Sequence, residues 1–339
     1  MLAVSCVCHK DKYVDFTGYA QGGTYRVKIN LKGVQARPRE IHQTIDSILQ
    51  NIDNSLSGYN KNSLLSCFNR GEAITPDELF VDVYSKAYDV YDYTGGVVDA
   101  SAAALFDAWG FGFKSGEMPD DRTIKDIMQN IGMSRLKRNM SEALGDDLVL
   151  SPDELLVIPG GVPARLNYNA IAQGYSCDLV ASYLYSVGVK DMLVDIGEIY
   201  CDGVNASGNP WKLGIDRPVD GNNVLGADIQ AIFEVPAGPH GVVTSGNYRK
   251  FYVRDGKKYA HTIDPRTGYP VTHNLLSATV VADDALTADA YATYCMAIGL
   301  EASKSLLEGS DDLEGCLVYD LDGEYHIWCS DGFALIDSE

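Results

Sequence analysis

Between residues 211 and 282 the chain is a succession of short strand-like runs with almost no helical pattern between them. The runs fall at 211–215, 228–235, 241–244, 250–254, 257–262 and 276–282, and most are rich in β-branched or aromatic residues. Parallel neighbours need a crossover of a dozen or more residues, usually a helix, so strands this closely spaced pair antiparallel. The expected fold is therefore α+β, with mixed, largely antiparallel sheets and flanking helices, rather than a doubly wound parallel sheet.

The remaining pattern supplies the helices. Ile41, Ile45, Ile48, Leu49 and Ile52 give 38–54 an apolar face at helical spacing. A second helix is expected from an N-cap at Thr75, with Pro76 and Glu78 in its first turn, to Tyr93 ahead of Gly95-Gly96. Further helices are expected at 120–130, 170–187 with Gly188 closing it, and 286–299. Strands are expected at 24–31, 147–150, 155–158 and 192–196, and a hairpin at 315–320 and 324–330 turning on Asp322-Gly323. With 339 residues and no repeat, low-complexity tract or linker, the chain reads as a short N-terminal tether, 1–18, and one unit, 19–339.

Charge narrows the partners. The formal net charge is -20, from 47 acidic and 27 basic residues, which argues against nucleic acid or an anionic membrane surface as a broad electrostatic partner. A small anionic ligand must then be held by local donors and a cation. The eight cysteines include no CxxC pair, so no zinc site is suggested, and no stretch approaches the ~20 apolar residues of a membrane span. Met1 to Cys8 is short and apolar and is read as the tail of a truncated lipoprotein signal with Cys6 as the lipidated residue, in preference to an ordinary frayed terminus.

The chemistry-bearing residues cluster in 241–299. Asp289 and Thr293 are four apart in a segment of helix formers, so both project from one face and offer oxygen ligands to a hard cation such as Mg²⁺. Spacing alone leaves open a capped helix whose Asp and Thr face solvent. His261 precedes the turn-forming run Ile263-Asp264-Pro265-Arg266-Thr267-Gly268 and titrates near neutrality, which suits a base; a histidine bonded to its own loop fits the pattern as well. No G-x-G-x-x-G or Walker sequence opens a strand-helix unit, so a nucleotide would be held by other means.

The run HTIDPRTGYPV, with Thr244-Ser245-Gly246 before it and Asp289-Ala290-Tyr291-Ala292-Thr293 after it, resembles the ApbE family of FAD:protein FMN transferases. Other matches follow in family order: Gln21-Gly22-Gly23-Thr24-Tyr25, Ser57-Gly58-Tyr59-Asn60, Gly95 to Ser101 with Trp109-Gly110-Phe111-Gly112, and Asn169-Ala170-Ile171-Ala172-Gln173-Gly174-Tyr175. The chain departs from the family after Asp99, where it reads Ala-Ser-Ala-Ala-Ala-Leu in place of Ile-Thr-Val-x-Pro-Leu, and at Gln173, where many members have Lys.

The resemblance implies an ApbE-like, T-fold-like architecture and transfer of FMN from FAD to an acceptor threonine, with release of AMP. It implies Mg²⁺ held by Asp289, Thr293 and the carbonyl of Ala172, and His261 and Asp264 as catalytic residues. FAD contacts are implied at Gln21, Gly22, Gly23, Tyr59, Asn60, Asp99, Ala100, Ser101, Asn169, Gln173, Thr244, Ser245, Gly246 and Ile263. It further implies an acceptor subunit of the Nqr or Rnf type and a lipid anchor on the periplasmic side of a bacterial inner membrane. Two alternatives stay open: an FAD pyrophosphatase yielding FMN and AMP, and an FAD-binding lipoprotein without turnover.

Overall fold

The computed structural model describes residues 12–112, 118–145, 147–219, 222, 226–248, 251–254 and 257–336. The chain opens with a hairpin of β1 (Tyr13–Ala20) and β2 (Gly23–Asn30), followed by α1 (Pro38–Leu56), α2 (Leu64–Asn69), α3 (Glu78–Tyr93), α4 (Ala103–Ala108) and α5 (Asp121–Met128). After α6 (Ala172–Ser186) come β3 (Met192–Asp195), β4 (Ile199–Asp202), β5 (Lys212–Asp216), β6 (Ile229–Glu234), β7 (His240–Gly246), β8 (Phe251–Arg254) and β9 (Lys257–Ala260). The short β10 (Ile263–Asp264) and β11 (Tyr269–Pro270) precede β12 (Leu275–Ala282), α7 (Ala285–Ile298) and α8 (Leu300–Glu308). The chain ends with β13 (Glu314–Leu321), β14 (Glu324–Cys329) and β15 (Leu335–Ile336).

Eight strands form one sheet in the order β1-β2-β3-β4-β7-β12-β13-β14, and every neighbouring pair in it is antiparallel. The alternation of side chains along each strand makes this sheet a wall between two cores. Toward the helices, Val27, Ile29 and Val194 pack with Ile41, Ile45 and Leu49 of α1 and with Val180 and Leu184 of α6. On the same face Val243, Ala278, Val280 and Leu317 meet Ala288, Ala292 and Met296 of α7. Toward the other side, Val242, Val281, Cys316 and Val318 pack on Leu213, Ile215 and Phe233 of a second sheet, β15-β6-β5. This is the α+β architecture with a largely antiparallel sheet and flanking helices that the strand spacing predicts.

One helix start and two strands are corrected, and the N-terminal boundary meets a strand. The boundary after residue 18 falls inside β1, which starts at Tyr13; β1 is an outer strand that buries only Phe16 fully, so its sequence carries little apolar alternation. Residues 1–11, with Cys6, lie outside the described residues. The helix expected to start at Thr75 is capped instead by Asp77, whose carboxylate accepts from the Phe80 amide at 2.8 Å. The strands expected at 147–150 and 155–158 reduce to isolated bridges, Leu150 to Ile74 and Leu156 to Leu136: these segments bury apolar side chains without a partner strand long enough for a ladder.

Candidate active site

The site is organised by the N-terminus of α7. This helix is rich in alanine and buried over most of its length, so neighbouring backbones approach it closely. A Cβ on Gly174 would lie 2.2 Å from Ala285 O, and one on Gly241 would lie 2.3 Å from Ala285 N, so α6 and β7 both need glycine where they cross the first turn of α7. The open amides of that turn are satisfied by two carboxylates. Asp284 accepts from Thr287 N at 2.7 Å, and Asp178, reaching across from α6, accepts from Ala285 N at 2.8 Å and Leu286 N at 2.9 Å.

Asp289 sits one turn further along α7 and is 4% exposed. One of its oxygens, Oδ2, accepts from the Gly174 amide at 3.1 Å. No ion pair reaches Asp289 among the described residues, and burial pushes its carboxyl up to about 7, with Asp178 adding repulsion. Asp178 is itself pushed up to about 7 by burial, against the pull of its two amide donors. A buried carboxylate without a cation is costly unless it is protonated or binds a metal. Thr293, one turn beyond on the same face, is half-buried, so this face of α7 opens toward solvent.

The start of α6 brings other expected residues to this cluster. Gln21 and Gly22 form the two-residue turn of the β1–β2 hairpin with positive φ at both positions, and Gly23 begins β2. The Gln21 amide donates to Ser176 Oγ, which in turn donates to Ala172 O at 2.6 Å. The Ala172 carbonyl is therefore already engaged by Ser176, and a metal there would have to displace that hydroxyl. Gln173 donates to Ile196 O at 3.1 Å, so its amide holds the turn after β3. Asn169 is exposed at the entrance to α6, and its amide donates to Asn167 Oδ1 at 2.8 Å.

Asp99, Ala100 and Ser101 join the same region through Asn167, whose amide donates to Ala100 O at 2.7 Å. Asp99 caps its own turn, accepting from Ser101 N at 2.9 Å and Ser101 Oγ at 2.7 Å. Burial raises its carboxyl above the ordinary value, while Ser101 and the amides of Met133 and Gly132 oppose the rise.

The His261 loop approaches α7 through β10, where Ile263 pairs with Pro270 and is buried beside Ala102, Leu105 and Trp109. His261 is half-buried, its ring 6.4 Å from that of Phe111, centre to centre. Asp264 is held from both sides of its carboxylate by Arg266, with Nε 3.0 Å from Oδ1 and Nη2 2.9 Å from Oδ2, and its carbonyl accepts from Gly268 N at 2.8 Å. The Trp109 indole donates to Gly268 O at 2.8 Å and clamps the far end of the loop.

Thr244, Ser245 and Gly246 are inside β7 and paired with Thr279, Ala278 and Ser277 of β12; the Thr244 hydroxyl is 2.8 Å from that of Thr279. Pairing of β7 with β4 stops at Val242, so the strand runs past its neighbour here. Tyr59 is 65% exposed, and Asn60 spends its hydrogen bonds within residues 53–63, chiefly on Asp53 Oδ2 at 2.8 Å. The structure brings Gln21, Ala172, Gly174 and Asp289 into one hydrogen-bonded neighbourhood and leaves Asn60 in its own turn.

Asp178 and Arg266 went unassigned at the sequence level. An Asp four residues after Gly174 falls on the same helical face as that glycine, which is the signal that marks Asp178; Arg266 has only its place two residues after Asp264.

An antiparallel α+β sheet with an oxygen-donor cluster at the meeting of two helix starts and a histidine loop defines the class. The chain belongs to the ApbE family, whose model matches residues 21–317. It is similar to the FAD:protein FMN transferase of Escherichia coli strain K12, 30% identical over 338 residues, 96% of this chain and 89% of that one. It is also 30% identical to the FAD:protein FMN transferase of Vibrio cholerae over 310 residues, 89% of this chain and 87% of that protein. Among solved structures, the apo form of Pseudomonas stutzeri flavinyl transferase ApbE superposes with a TM-score of 0.79 at 28% identity, covering 96% of each chain. The flavin transferase ApbE from Vibrio cholerae superposes with a TM-score of 0.76 at 29% identity, covering 95% of this chain and 98% of that one.

Proposed function

We propose that this chain is an FAD:protein FMN transferase that attaches FMN through phosphoester linkage to a threonine of an acceptor protein. The acceptor hydroxyl oxygen bonds to the FMN phosphorus, the bond to the AMP oxygen breaks, and AMP leaves with the electron pair. The observation that carries this reading is Asp289: a buried carboxylate with one amide donor and no ion-pair partner among the described residues, facing the same side of α7 as the Thr293 hydroxyl.

That donor set is all oxygen and suits Mg²⁺. Asp289 and Thr293 would hold the ion, with the Ala172 carbonyl joining them in competition with Ser176. When bound, Mg²⁺ offsets the pyrophosphate charge and the charge that builds on AMP. His261 takes the proton of the acceptor hydroxyl. Asp264, locked by Arg266, keeps the His261 loop in place. The exposed Asn169, the Gln21–Gly23 turn and the Asp99–Ser101 turn offer donors along the FAD. The acceptor is an Nqr- or Rnf-type redox subunit, and we assign the enzyme to the periplasmic side of the inner membrane, anchored by lipid at Cys6.

The test is incubation with FAD and an acceptor domain, with and without Mg²⁺, reading AMP release and acceptor mass together. Metal-dependent FMN on the acceptor is the expected result. AMP and free FMN with an unmodified acceptor would replace the transferase by a pyrophosphatase, and FAD retained without AMP would leave a binding protein.

A further inference from the structure

The β13–β14 hairpin places Cys316 directly opposite Cys329. The adjacent pair, Gly315 and Ser330, is hydrogen-bonded, with Ser330 N donating to Gly315 O at 2.9 Å. Hydrogen-bonded and non-hydrogen-bonded pairs alternate along an antiparallel ladder. Cys316 and Cys329 are therefore a non-hydrogen-bonded pair, in which Cα atoms come to about 4.5 Å and side chains stand nearest. That separation lies within the span of a disulfide. Both cysteines are free thiols on the face that meets the second sheet, Cys316 fully buried and Cys329 half-buried at the rim.

We propose that Cys316 and Cys329 form a redox-active pair that closes into a cross-strand disulfide by exchange with a small-molecule or protein disulfide. Cys329 attacks first: it is the more accessible, and the hydrogen bond from Cys316 holds its thiol below the ordinary value, while the same contact pushes Cys316 up. The Cys329 thiolate bonds to one sulfur of R–S–S–R and expels RS⁻. Cys316 then loses its proton, attacks Cys329 Sγ and expels the second RS⁻. Two protein thiols and one disulfide become one protein disulfide and two RSH, so both electrons end on the reagent.

Closure would brace an outer strand. β14 ends the eight-stranded sheet, and the chain leaves it through Ser330 and Gly332, both bonded to the Glu314 carboxylate. It then reaches Phe333, whose ring lies 4.4 Å from that of Phe233 in the second sheet, centre to centre. The bond fastens this return path and touches neither α6 nor α7.

The full chain, treated with oxidised glutathione or with dithiothreitol, is alkylated and cut with a Glu-specific protease, which cleaves after Glu324 between the two cysteines. In the oxidised sample the Cys316 and Cys329 peptides are expected joined, lighter by two hydrogens than the separate thiol peptides. The thermal midpoint is expected to rise by roughly 5 °C over the reduced protein. Cys329→Ser is expected to abolish both effects while melting like reduced wild type. Recovery of the two peptides as separate alkylated species, or of glutathione on Cys329 with Cys316 still free, overturns the proposal. The peptide map of the wild-type chain decides this even if the variant fails to fold.

Discussion

The Gly174 amide donates to Asp289 Oδ2 at 3.1 Å, so α6 and α7 meet backbone to carboxylate where both helices begin. The contact exists only because residue 174 has no side chain. Gly174→Ala would drive a methyl against Ala285 O and Leu286 N, and a loss of about 3 kcal/mol is expected in urea denaturation. An unchanged midpoint would mean that the helices separate at no cost.

Proton linkage follows from the same pair of helices. Asp178 and Asp289 are each pushed up to about 7, mainly by burial, whereas in the unfolded chain they titrate near about 4. Between those values the unfolded chain releases protons that the folded chain keeps. Their contribution to stability is thus complete below about pH 4 and lost as pH rises through about 7, by roughly 4 kcal/mol per group at most. Thermal midpoints in chelator should fall from pH 5 to pH 8, and Asp178→Asn should flatten that slope even though it weakens the α7 cap.

Mg²⁺ should reverse the trend where Asp289 is ionised. At a hundred times its Kd the ion is expected to stabilise the protein at pH 8 by about 2.7 kcal/mol. Asp289→Asn keeps the size and removes the charge. Its thermal midpoint should not respond to Mg²⁺, and FMN transfer should fall by about a hundredfold or more. A variant that still responds to the metal would move the ligand elsewhere.

Trp109→Phe separates loop position from metal binding. It leaves Gly268 O without its indole donor, at a cost of about 1–2 kcal/mol. Loosening the His261 loop should lower the transfer rate while the Mg²⁺-induced midpoint shift stays as in wild type. Loss of both together would tie Trp109 to the whole fold instead.

The fold class was legible because closely spaced strands admit few topologies, and the Asp322-Gly323 turn, with φ of 55° and 86°, formed the hairpin its residues predict. What escaped notice was set by partners distant in sequence. Leu150 and Leu156 look like strand residues but found only single bridges, and Tyr13 to Ala20 looks polar yet pairs along its whole length with β2. At the site, helical spacing correctly put Asp289 and Thr293 on one face of α7. Helical spacing puts Asp178 on the face of Gly174, but no local pattern could reveal that it supplies acceptors for Ala285 and Leu286, 107 and 108 residues further along the chain. The run at 241–244 reads as a strand, and the ladder with β12 carries it on through Gly246.

On β7 and β12, neighbouring residues belong to opposite cores: Val242 and Val281 to the sheet sandwich, Val243 and Val280 to the helical layer. Neither layer can melt while these strands stay folded for the other. Loss of the sandwich strips one side of the same backbone that carries α7, so damage far from the chemistry is felt there as a loss of stability. A chain built on such a party wall should lose its two halves in one event, not in sequence.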